Sequence, residues 1–236
     1  MFITVRLQSY YNEDLKPKCS RYEFTSKQHY IINQCKAYDI SFLYETKLML
    51  SNRVFLKAKW GNEMVYMAAT NTARRGVITL VHAQCAAILN TEVAADIDLL
   101  RIRDKNYLLC NVYGDPTSDA EAHNTFTKIN DKMEEIKTQY PIDHYILGGD
   151  YNLCLERRDS TSSSRKPRAE GQLITILNSF NLYDAAALLH NIPKHTYFRE
   201  RHENTFARYD RFHVDPNLLQ GMEFKTLQRT TDHCLI

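Results

Sequence analysis

The stretch HYILGGDYN, residues 144–152, combines an apolar strand pattern, a glycine pair and polar residues. Its apolar beginning predicts a buried strand, and its end turns polar at Asp150 and Asn152. Gly148 and Gly149 stand together although the 236-residue chain contains only 7 glycines, and such a pair is typical of a backbone under tight constraint. Polar side chains directly after a buried strand lie at the edge of a sheet, where sites form. The stretch therefore predicts a sheet that presents an acidic residue and an amide at one edge.

The same pattern of an apolar strand that ends in polar residues recurs along the chain. Strands are predicted at residues 2–7, 40–44, 54–60, 77–81, 99–102, 107–113, 144–147 and 209–214. Helices are predicted at residues 28–35, 118–136 and 173–180, and Ser118 with Glu121 forms a capping box at the start of the longest. Strands with helices between them indicate α/β layers. No linker divides the chain, so we expect one domain over residues 1–236.

The composition excludes a chain that spans a membrane or stays disordered. The sequence is 44% hydrophobic and 25% charged, and no stretch approaches the roughly 20 consecutive apolar residues of a spanning helix. The 6 cysteines contain no CxxC pair, which favours reduced core residues. A net charge of +2 argues against binding to nucleic acid by bulk positive charge.

The charge is nonetheless unevenly distributed. Residues 157–168 hold five basic residues and one acidic residue, whereas residues 115–135 hold six acidic residues and two lysines. By default, such a basic segment is a solvated loop. Because a small net charge can hide a basic face, we expect the basic segment to flank a functional site and the acidic helix within residues 115–135 to cover a remote layer.

The polar residues at the predicted strand ends are of the types that phosphodiester hydrolysis needs. They are Glu45, Tyr113, Asp150, Asn152, Asp210, Asp232 and His233. Mg²⁺ prefers oxygen ligands, and one or two carboxylates with the substrate phosphate are enough to hold it. A carboxylate can deprotonate the attacking water, and a histidine can donate to the developing negative charge. Each residue alone also fits a simpler role, such as a turn, an ion pair or a cap, so the signal lies in their combination.

Five motifs in a fixed order make this signal specific. They are ETKL (residues 45–48), NVY (111–113), GGDYN (148–152), ARYDRFHV (207–214) and TDH (231–233). The series resembles the endonuclease/exonuclease/phosphatase superfamily and, within it, the apurinic-type endonuclease domain of LINE-type (non-LTR) retrotransposons. The resemblance spans essentially the whole chain. It implies a four-layered αββα sandwich of two mainly antiparallel sheets flanked by helices, and the N-terminal part of a longer retroelement polyprotein.

The resemblance implies an enzyme that nicks one strand of double-stranded DNA. The reaction would be Mg²⁺-dependent phosphodiester hydrolysis, with Mn²⁺ as a substitute ion. It would leave a 3′-hydroxyl that primes reverse transcription on the target DNA. The implied partners are DNA and the reverse transcriptase domain of the same polyprotein, with no membrane partner and a monomeric isolated domain. The implied site of action is the nucleus, after synthesis in the cytoplasm.

Roles for the residues around the reacting phosphate follow from the same resemblance. Asp150 would position or deprotonate the water, and Asn152 would hold the scissile phosphate. Tyr113 would support that phosphate, although the family's Tyr-Ala-Pro-Asn is replaced here by a tyrosine followed by Gly-Asp-Pro-Thr. Asp210 would assist the leaving 3′ oxygen.

The resemblance also supplies a histidine and the metal ligands. His233, oriented by Asp232, would stabilise the charge of the pentacovalent transition state. Glu45 would bind the metal ion. Asn12 is the best-spaced candidate for a second ligand, but Leu15 stands where the family has a glycine three residues after its asparagine.

Residues 195–208 predict a β-hairpin, with two Thr/aromatic segments around a charged turn. In this family the corresponding hairpin enters the DNA groove near the site. The candidates for DNA contact are Thr196, Arg199, Arg201 and Arg208 in the hairpin and Arg157 and Arg158 in the basic segment. An exposed hairpin with solvated charges is the alternative interpretation.

Two other functions fit the same residues. The first is an apurinic/apyrimidinic DNA-repair endonuclease of the same superfamily, because substrate choice depends on loops that the motifs do not define. The second is a non-catalytic nucleic-acid-binding module on the same scaffold. The presence of every acidic residue and of the histidine in the motifs disfavours the second.

Overall fold

The structure is a computed structural model. It describes residues 5–9, 31–33, 35, 36, 38, 40–44, 46, 48–61, 64–69, 76–81, 86–92, 96–102, 104–161, 166–189, 197–199 and 205–219. For residues 5–9, 86–92, 96, 197–199, 205 and 219 the description extends to the backbone alone. Within these ranges no helix is long and apolar enough to cross a membrane.

Strands and helices are interspersed along the described part of the chain. In chain order the elements are β1 (Val5–Ser9), β2 (Ile40–Tyr44), α1 (Arg53–Trp60), β3 (Val65–Ala68), β4 (Val77–Val81), β5 (Ala86–Glu92), β6 (Asp96–Ile102), β7 (Lys105–Tyr113), α2 (Asp119–Gln139), β8 (His144–Asp150), α3 (Pro167–Ser179), β9 (Tyr183–Asp184), α4 (Ala185–Leu188), β10 (Tyr197–Arg199), β11 (Thr205–Ala207) and β12 (Asp210–Val214). Short 3-10 turns occupy Leu50–Asn52, Arg157–Asp159 and Pro216–Leu219.

Two sheets pack face to face. The smaller has the strand order β1-β2-β4-β3, and the larger has the order β5-β6-β7-β8-β12-β9. Their strand pairs are antiparallel except for β1–β2 and β7–β8, which are parallel. Alternate residues of each strand point between the sheets. Ile40, Phe42 and Tyr44 of β2 therefore share one buried core with Leu109 of β7 and Phe212 of β12.

Helices cover the outer faces of both sheets. Helices α2 and α3 pack on the larger sheet through a second core that includes Phe126, Ile129 and Leu173. Helix α1 and the helical residues 31–33 cover the smaller sheet through a third core that includes Leu56. The layers therefore run helix, sheet, sheet, helix, which confirms the expected αββα sandwich.

Helix α2 begins where the capping box predicts. Ser118 is the N-cap, and its hydroxyl accepts a hydrogen bond from the Glu121 N–H at 3.2 Å. Phe126, Ile129 and Met133 are fully buried on one face, as the helical period requires. The cap and the apolar spacing together fix the helix that packs behind β7 and β8.

The strand predicted at residues 54–60 is wrong, because this segment forms helix α1. Leu56 and Trp60, four residues apart, are buried on one face, while Val54 is 79% exposed. Gly61 ends the helix in the left-handed conformation at φ 93°, and its N–H bonds back into the last turn at 2.9 Å. The apolar residues at alternate positions include a pair four residues apart, which also fits one face of a helix. A glycine commonly follows the end of a helix, so Gly61 was the signal that favoured a helix over a strand.

The predicted hairpin is present in the described part of residues 195–208. Strands β10 and β11 pair in antiparallel register. Strands β3 and β5 were not predicted. In β3 the first three residues are all buried, so the sequence shows no polar alternation from which a strand could be recognised.

Candidate active site

Three predicted site residues lie in one row across the larger sheet. Tyr113 ends β7, Asp150 ends β8 and Asp210 begins β12. In the strand register Asp150 pairs with Tyr113 on one side and with Asp210 on the other. Directly paired residues project to the same face of a sheet. The row therefore brings two carboxylates and a phenol to one edge.

Tyr44 of the smaller sheet meets this row from the opposite side. Its hydroxyl donates a hydrogen bond to the Asp210 carboxylate, and its ring stacks on that of Tyr113 with the centroids 6.5 Å apart. Tyr44 and Asp210 are fully buried, and Asp150 is 2% exposed. The two sheets therefore meet at this edge through side chains of the predicted site.

Gly149 allows β8 to approach β7 closely behind Asp150. Its φ is 143°, a conformation that side chains rarely adopt, and a Cβ there would lie 1.9 Å from the Val112 carbonyl oxygen. A Cβ on Gly148 would lie 2.5 Å from the Phe212 ring. The glycine pair thus meets a steric need, as the sequence predicts, and it sets the backbone that carries the acidic residue.

Asn152 connects two loops, which we call the site loops: residues 114–118 after β7 and residues 151–156 after β8. It adopts a left-handed φ of 49°, which asparagine tolerates better than most residues. Its backbone N–H donates to Asp150 Oδ1 at 2.9 Å, and its side-chain amide donates to the Gly114 carbonyl at 3.0 Å. Asn152 is therefore held beside the carboxylate by one contact to the end of β8 and one to the first site loop.

Lys166 also lies between the site loops, although the motifs did not single it out. Its Nζ donates to the Asn152 carbonyl at 2.9 Å and to the Asp115 carbonyl. Burial lowers the pKa of this ammonium, although Asp115, Asp150 and Asp119 act to raise it. These contacts could not be predicted from the sequence, because Lys166 is one of several basic residues in a segment that was interpreted as a solvated loop.

Asn111 is a second residue whose role the sequence analysis missed. It is fully buried in β7. Its side-chain amide donates to the Ile78 carbonyl at 3.0 Å and to the Leu43 carbonyl at 3.4 Å, both in the smaller sheet. These bonds tie the sheets together two residues before Tyr113. A polar residue inside an apolar strand was the signal that could have found it.

Arg208 requires a correction, because its guanidinium is buried in an ion-pair cluster. The side chain is 3% exposed and lies 2.6 Å from the Asp184 carboxylate. Arg211 bonds the same carboxylate at 3.0 Å and pairs with Asp159. Burial alone would raise the pKa of Asp184, but the hydrogen bond and the charge of Arg208 lower it. We therefore assign Arg208 to the structure of the domain and not, as the sequence suggested, to DNA contact.

Arg157 and Arg158 are exposed directly after the second site loop. Arg158 pairs with Glu156 at 2.6 Å, yet its side chain remains 65% exposed. The residues that follow are tied to the hairpin, because the Thr161 N–H donates to the Phe206 carbonyl at 3.0 Å. The described start of the basic segment is therefore bonded to the second strand of the hairpin, β11.

The acidic segment, residues 115–135, lies partly in an outer layer and partly at the site. Helix α2 packs on the outer face of the larger sheet, as expected of the acidic helix, but the segment begins in a site loop. Asp115 accepts hydrogen bonds from the N–H groups of Thr117 and Ser118 at 2.8 Å each. Asp119 accepts bonds from two N–H groups in the first turn of α3 at 3.2 and 2.9 Å. Asp115 therefore stabilises the turn before α2, and Asp119 stabilises the start of α3.

Six predicted site residues fall outside the described residues. They are Asn12, Glu45, Thr196, Arg201, Asp232 and His233. Arg199 lies in β10, of which the backbone alone is described. The structure therefore brings together Tyr113, Asp150, Asn152 and Asp210, while the metal ligands and the histidine stay predictions.

The described side chains at the site carry oxygen atoms, the type of donor that binds a hard cation. They do not by themselves form a complete metal site. The side chains in the row and above it, Tyr44, Tyr113, Asp150 and Asp210, offer only oxygen atoms. Among the described residues no group of three or more His, Cys, Asp or Glu side chains is placed to hold a metal ion. Because Mg²⁺ keeps several waters and needs few carboxylates, such an arrangement suits it once a further ligand is supplied.

Comparison with known proteins gives one relative in sequence and several in fold. No protein-family model matches the chain. The chain is 27% identical over 198 residues to the Transposon TX1 uncharacterized 149 kDa protein of Xenopus laevis, and the match covers 81% of this chain and 15% of that protein.

Two solved structures illustrate the likeness in fold. An AP endonuclease from Archaeoglobus fulgidus has a TM-score of 0.65 and 16% identity, with 88% of this chain and 91% of that chain covered. The 3′ phosphatase NExo from Neisseria, bound to product DNA hairpin, has a TM-score of 0.65 and 15% identity, with 89% and 93% covered. At such identities the likeness shows the fold. The resemblance inferred from the five motifs is therefore confirmed, by a transposon relative in sequence and by an AP endonuclease in fold.

Proposed function

We propose that this chain is an endonuclease that hydrolyses a phosphodiester bond in one strand of double-stranded DNA. The observation that carries the proposal is the row of Tyr113, Asp150 and Asp210, with Asn152 beside it, on an AP-endonuclease-like fold. Buried carboxylates can activate water, and a phenol and an amide can donate to a phosphate. This is the combination that phosphodiester hydrolysis requires.

Asp150 is the residue we assign to the attacking water. The Asn152 N–H bonds its Oδ1 at 2.9 Å and fixes the orientation of the carboxylate. The side-chain amide of Asn152 and the hydroxyl of Tyr113 would donate to the oxygens of the scissile phosphate. These donors are in place before substrate binds, so little reorganisation is needed when charge develops.

Asp210 would assist the departure of the 3′ oxygen, and the hydrogen bond from Tyr44 orients its carboxylate. His233, oriented by Asp232, would donate to the negative charge that develops on the phosphate. The two residues would act on different atoms. Asp210 would stabilise the leaving oxygen, and His233 would stabilise the charge on the phosphate.

Mg²⁺ is the cofactor that we propose, with Mn²⁺ as a substitute. Glu45 would hold it, with Asn12 as a second ligand. Support comes from the position of the preceding residue, Tyr44, whose hydroxyl bonds the Asp210 carboxylate at the edge of the site. When bound, the ion would offset the negative charge of the phosphate.

The proposed DNA track runs over Arg157 and Arg158, at the start of the basic segment, and over the hairpin. Arg157 and Arg158 would contact phosphates, which positions a duplex without reading its sequence. Thr196, Arg199 and Arg201 would reach into the groove. The presence of a product DNA hairpin in the similar 3′ phosphatase structure supports DNA as the substrate class.

We assign the nick a role in target-primed reverse transcription of a non-LTR retrotransposon. The similarity to a transposon protein, of which this chain matches 15% of the length, supports this role. The chain would be the N-terminal part of a polyprotein, and the reverse transcriptase domain would be its partner. The domain would act as a monomer in the nucleus after synthesis in the cytoplasm.

A repair endonuclease that cuts at abasic sites is the second candidate function. The likeness in fold to the Archaeoglobus AP endonuclease favours it. A non-catalytic nucleic-acid-binding module is disfavoured, because Asp150 and Asn152 are not only present but held by specific contacts.

Plasmid nicking tests the proposal. The purified chain with supercoiled plasmid and Mg²⁺ is expected to give nicked circles, and chelation of the ion is expected to abolish them. A DNA polymerase is expected to extend the nick without prior phosphatase treatment, because the end is a 3′-hydroxyl. Failure to nick intact plasmid would overturn the proposal. Cleavage confined to abasic duplex would replace it with the repair function, and binding without cleavage would leave the binding module.

A further inference from the structure

Lys166 joins three segments of the chain at the site. Its Nζ donates to the Asn152 carbonyl in the second site loop at 2.9 Å and to the Asp115 carbonyl in the first. Its own carbonyl accepts the Glu170 N–H at 2.8 Å in the first turn of α3. One side chain therefore connects both site loops to the start of a helix.

The start of α3 is itself bonded to α2, the helix that packs on the larger sheet. Asp119, in the first turn of α2, accepts hydrogen bonds from the N–H groups of Arg168 at 3.2 Å and Ala169 at 2.9 Å. Pro167 begins α3, and its restricted φ suits the first helical position. Because these bonds hold the backbone next to Lys166, its side chain can fix the positions of the two site loops.

The surroundings of the ammonium suit a charged donor. Asp115, Asp150 and Asp119 interact favourably with its charge, against the effect of burial, which lowers the pKa of Lys166. A charged ammonium has three N–H donors, and hydrogen bonds from a charged donor are stronger than those between neutral groups. Two of these donors bond backbone carbonyls in different site loops, so the charged ammonium holds the two loops together.

We propose that Lys166 is a positioning residue that braces the two site loops and so keeps Asn152 in place beside Asp150. The inference rests on the proposed function and adds a residue to that same site. The side chain of Asn152 bonds Gly114 at 3.0 Å while its carbonyl is bonded by Lys166. Loss of the ammonium removes one of these two ties and lets the amide turn away from the phosphate.

Arg168 provides the matched control, because it is an exposed basic residue two positions along the chain. A cation that merely attracts DNA acts through binding, and such attraction depends on salt. A brace acts on the chemical step instead. The two variants Lys166→Met and Arg168→Met therefore separate the two roles.

The kinetic test measures kcat and KM for plasmid nicking. Lys166→Met is expected to lower kcat by about 10- to 100-fold, because a small misplacement of a reacting group has an effect of that size. The KM for DNA and the salt dependence of binding are expected to stay at wild-type values. Arg168→Met is expected to keep the wild-type kcat. An unchanged kcat in Lys166→Met, or a raised KM as its only effect, would overturn the proposal.

Hydrogen exchange tests the brace without reference to activity. The Gly114 N–H bonds the Asp150 carbonyl at 2.8 Å, and the Asn152 N–H bonds Asp150 Oδ1 at 2.9 Å, so both report on the loops. Lys166→Met is expected to speed exchange at both amides and to leave that of Leu147, within β8, unchanged. Unchanged exchange at the two loop amides would overturn the brace.

The two measurements also separate the inference from the proposed function. A wild-type chain that fails to nick DNA overturns the function, and hydrogen exchange then decides the brace alone. Nicking by the wild type with no effect of Lys166→Met overturns the brace and leaves the function. If Lys166→Met fails to fold, Lys166→Gln takes its place with the same expectations in both measurements.

Discussion

The hydroxyl of Tyr44 donates a hydrogen bond to the carboxylate of Asp210, and this bond joins the smaller sheet to the larger at the edge that carries the site. The same tyrosine stacks on Tyr113, with the ring centroids 6.5 Å apart. The side chain of Tyr44 therefore contacts two residues of the row, Asp210 and Tyr113, although Tyr44 lies in the other sheet. The geometry of the row depends on how the two sheets pack.

Replacing Tyr44 with phenylalanine tests that dependence. Tyr44→Phe keeps the ring but removes a donor to a buried carboxylate, which costs about 1.5–3 kcal/mol of stability. We expect the folded variant to nick DNA up to about 100-fold more slowly, because the Asp210 carboxylate loses its orientation. Tyr107→Phe, at the opposite end of β7, is the control and is expected to nick at the wild-type rate. Equal rates for both variants would exclude a role for the Tyr44 hydroxyl.

Asn152 can be tested without strain on the backbone, because glycine accepts the left-handed φ of 49°. Asn152→Gly removes the side-chain amide that we assign to the phosphate. The expected loss in kcat is about 100-fold or more, the usual effect of removing a donor to developing charge. Asn181, with a φ of 53° after helix α3, gives the matched variant Asn181→Gly, which is expected to nick normally. Normal nicking by Asn152→Gly would refute the role of its amide.

Arg208 and the exposed arginines of the basic segment are expected to differ in what they affect. Arg208→Ala leaves the partly buried Asp184 carboxylate with one partner fewer, and removal of one partner of a buried ion pair costs up to about 3–5 kcal/mol. Arg157→Ala and Arg158→Ala are expected to change stability by less than about 0.5 kcal/mol. Each is expected to reduce the salt slope of DNA binding by about 0.9. Denaturant unfolding and binding at several salt concentrations measure both quantities. A stable Arg208→Ala variant with weakened DNA binding would restore the assignment that the structure corrects.

His213 makes the stability of the domain depend on pH. It is buried in β12, and its Nδ1 lies 3.0 Å from the Tyr151 hydroxyl, which donates to the Leu147 carbonyl. Burial lowers the pKa of His213 from 6.5 to about 3, and the charges of Arg211 and Arg208 act in the same direction against that of Asp184. Between these two values the unfolded chain binds a proton that the folded chain does not. The free energy of unfolding therefore falls as the pH drops through this window, by about 1.4 kcal/mol per pH unit.

Denaturant unfolding across the window from 6.5 down to about 3 measures this slope. His213→Asn keeps a donor for the Tyr151 hydroxyl but does not titrate there, so its slope is expected to be shallower by that amount. The same slope in the variant and the wild type would show that another group is responsible.

The sequence predicted the layers and most of the row, because these depend on local patterns. Apolar runs located β2, β4, β7, β8 and β12, and the capping box located α2. Asp150 and Asn152 were found because they follow a buried strand and a glycine pair. Because these strands are neighbours in one sheet, their ends lie at one edge for any conformation of the loops between them.

The sequence could not predict the contacts that depend on the approach of distant segments. Tyr44 had the pattern of any aromatic residue at the end of a buried strand, and its bond to Asp210 exists only once the sheets pack. Lys166 and Arg208 both lie in basic stretches, yet one bonds loop carbonyls and the other a partly buried carboxylate. Charge alone did not distinguish these uses, because solvation and pairing depend on burial.

The rate of plasmid nicking by Asp150→Asn tests the catalytic assignment most directly. The substitution keeps the size of the side chain and removes the carboxylate that we assign to the attacking water. Asp143→Asn, just before the other end of β8, is the control, because Asp143 contacts Lys105 and Asn106 away from the site. In Mg²⁺ we expect Asp150→Asn to be slower by about 1000-fold or more and Asp143→Asn to match the wild type. Nicking by folded Asp150→Asn at the wild-type rate would contradict the assignment.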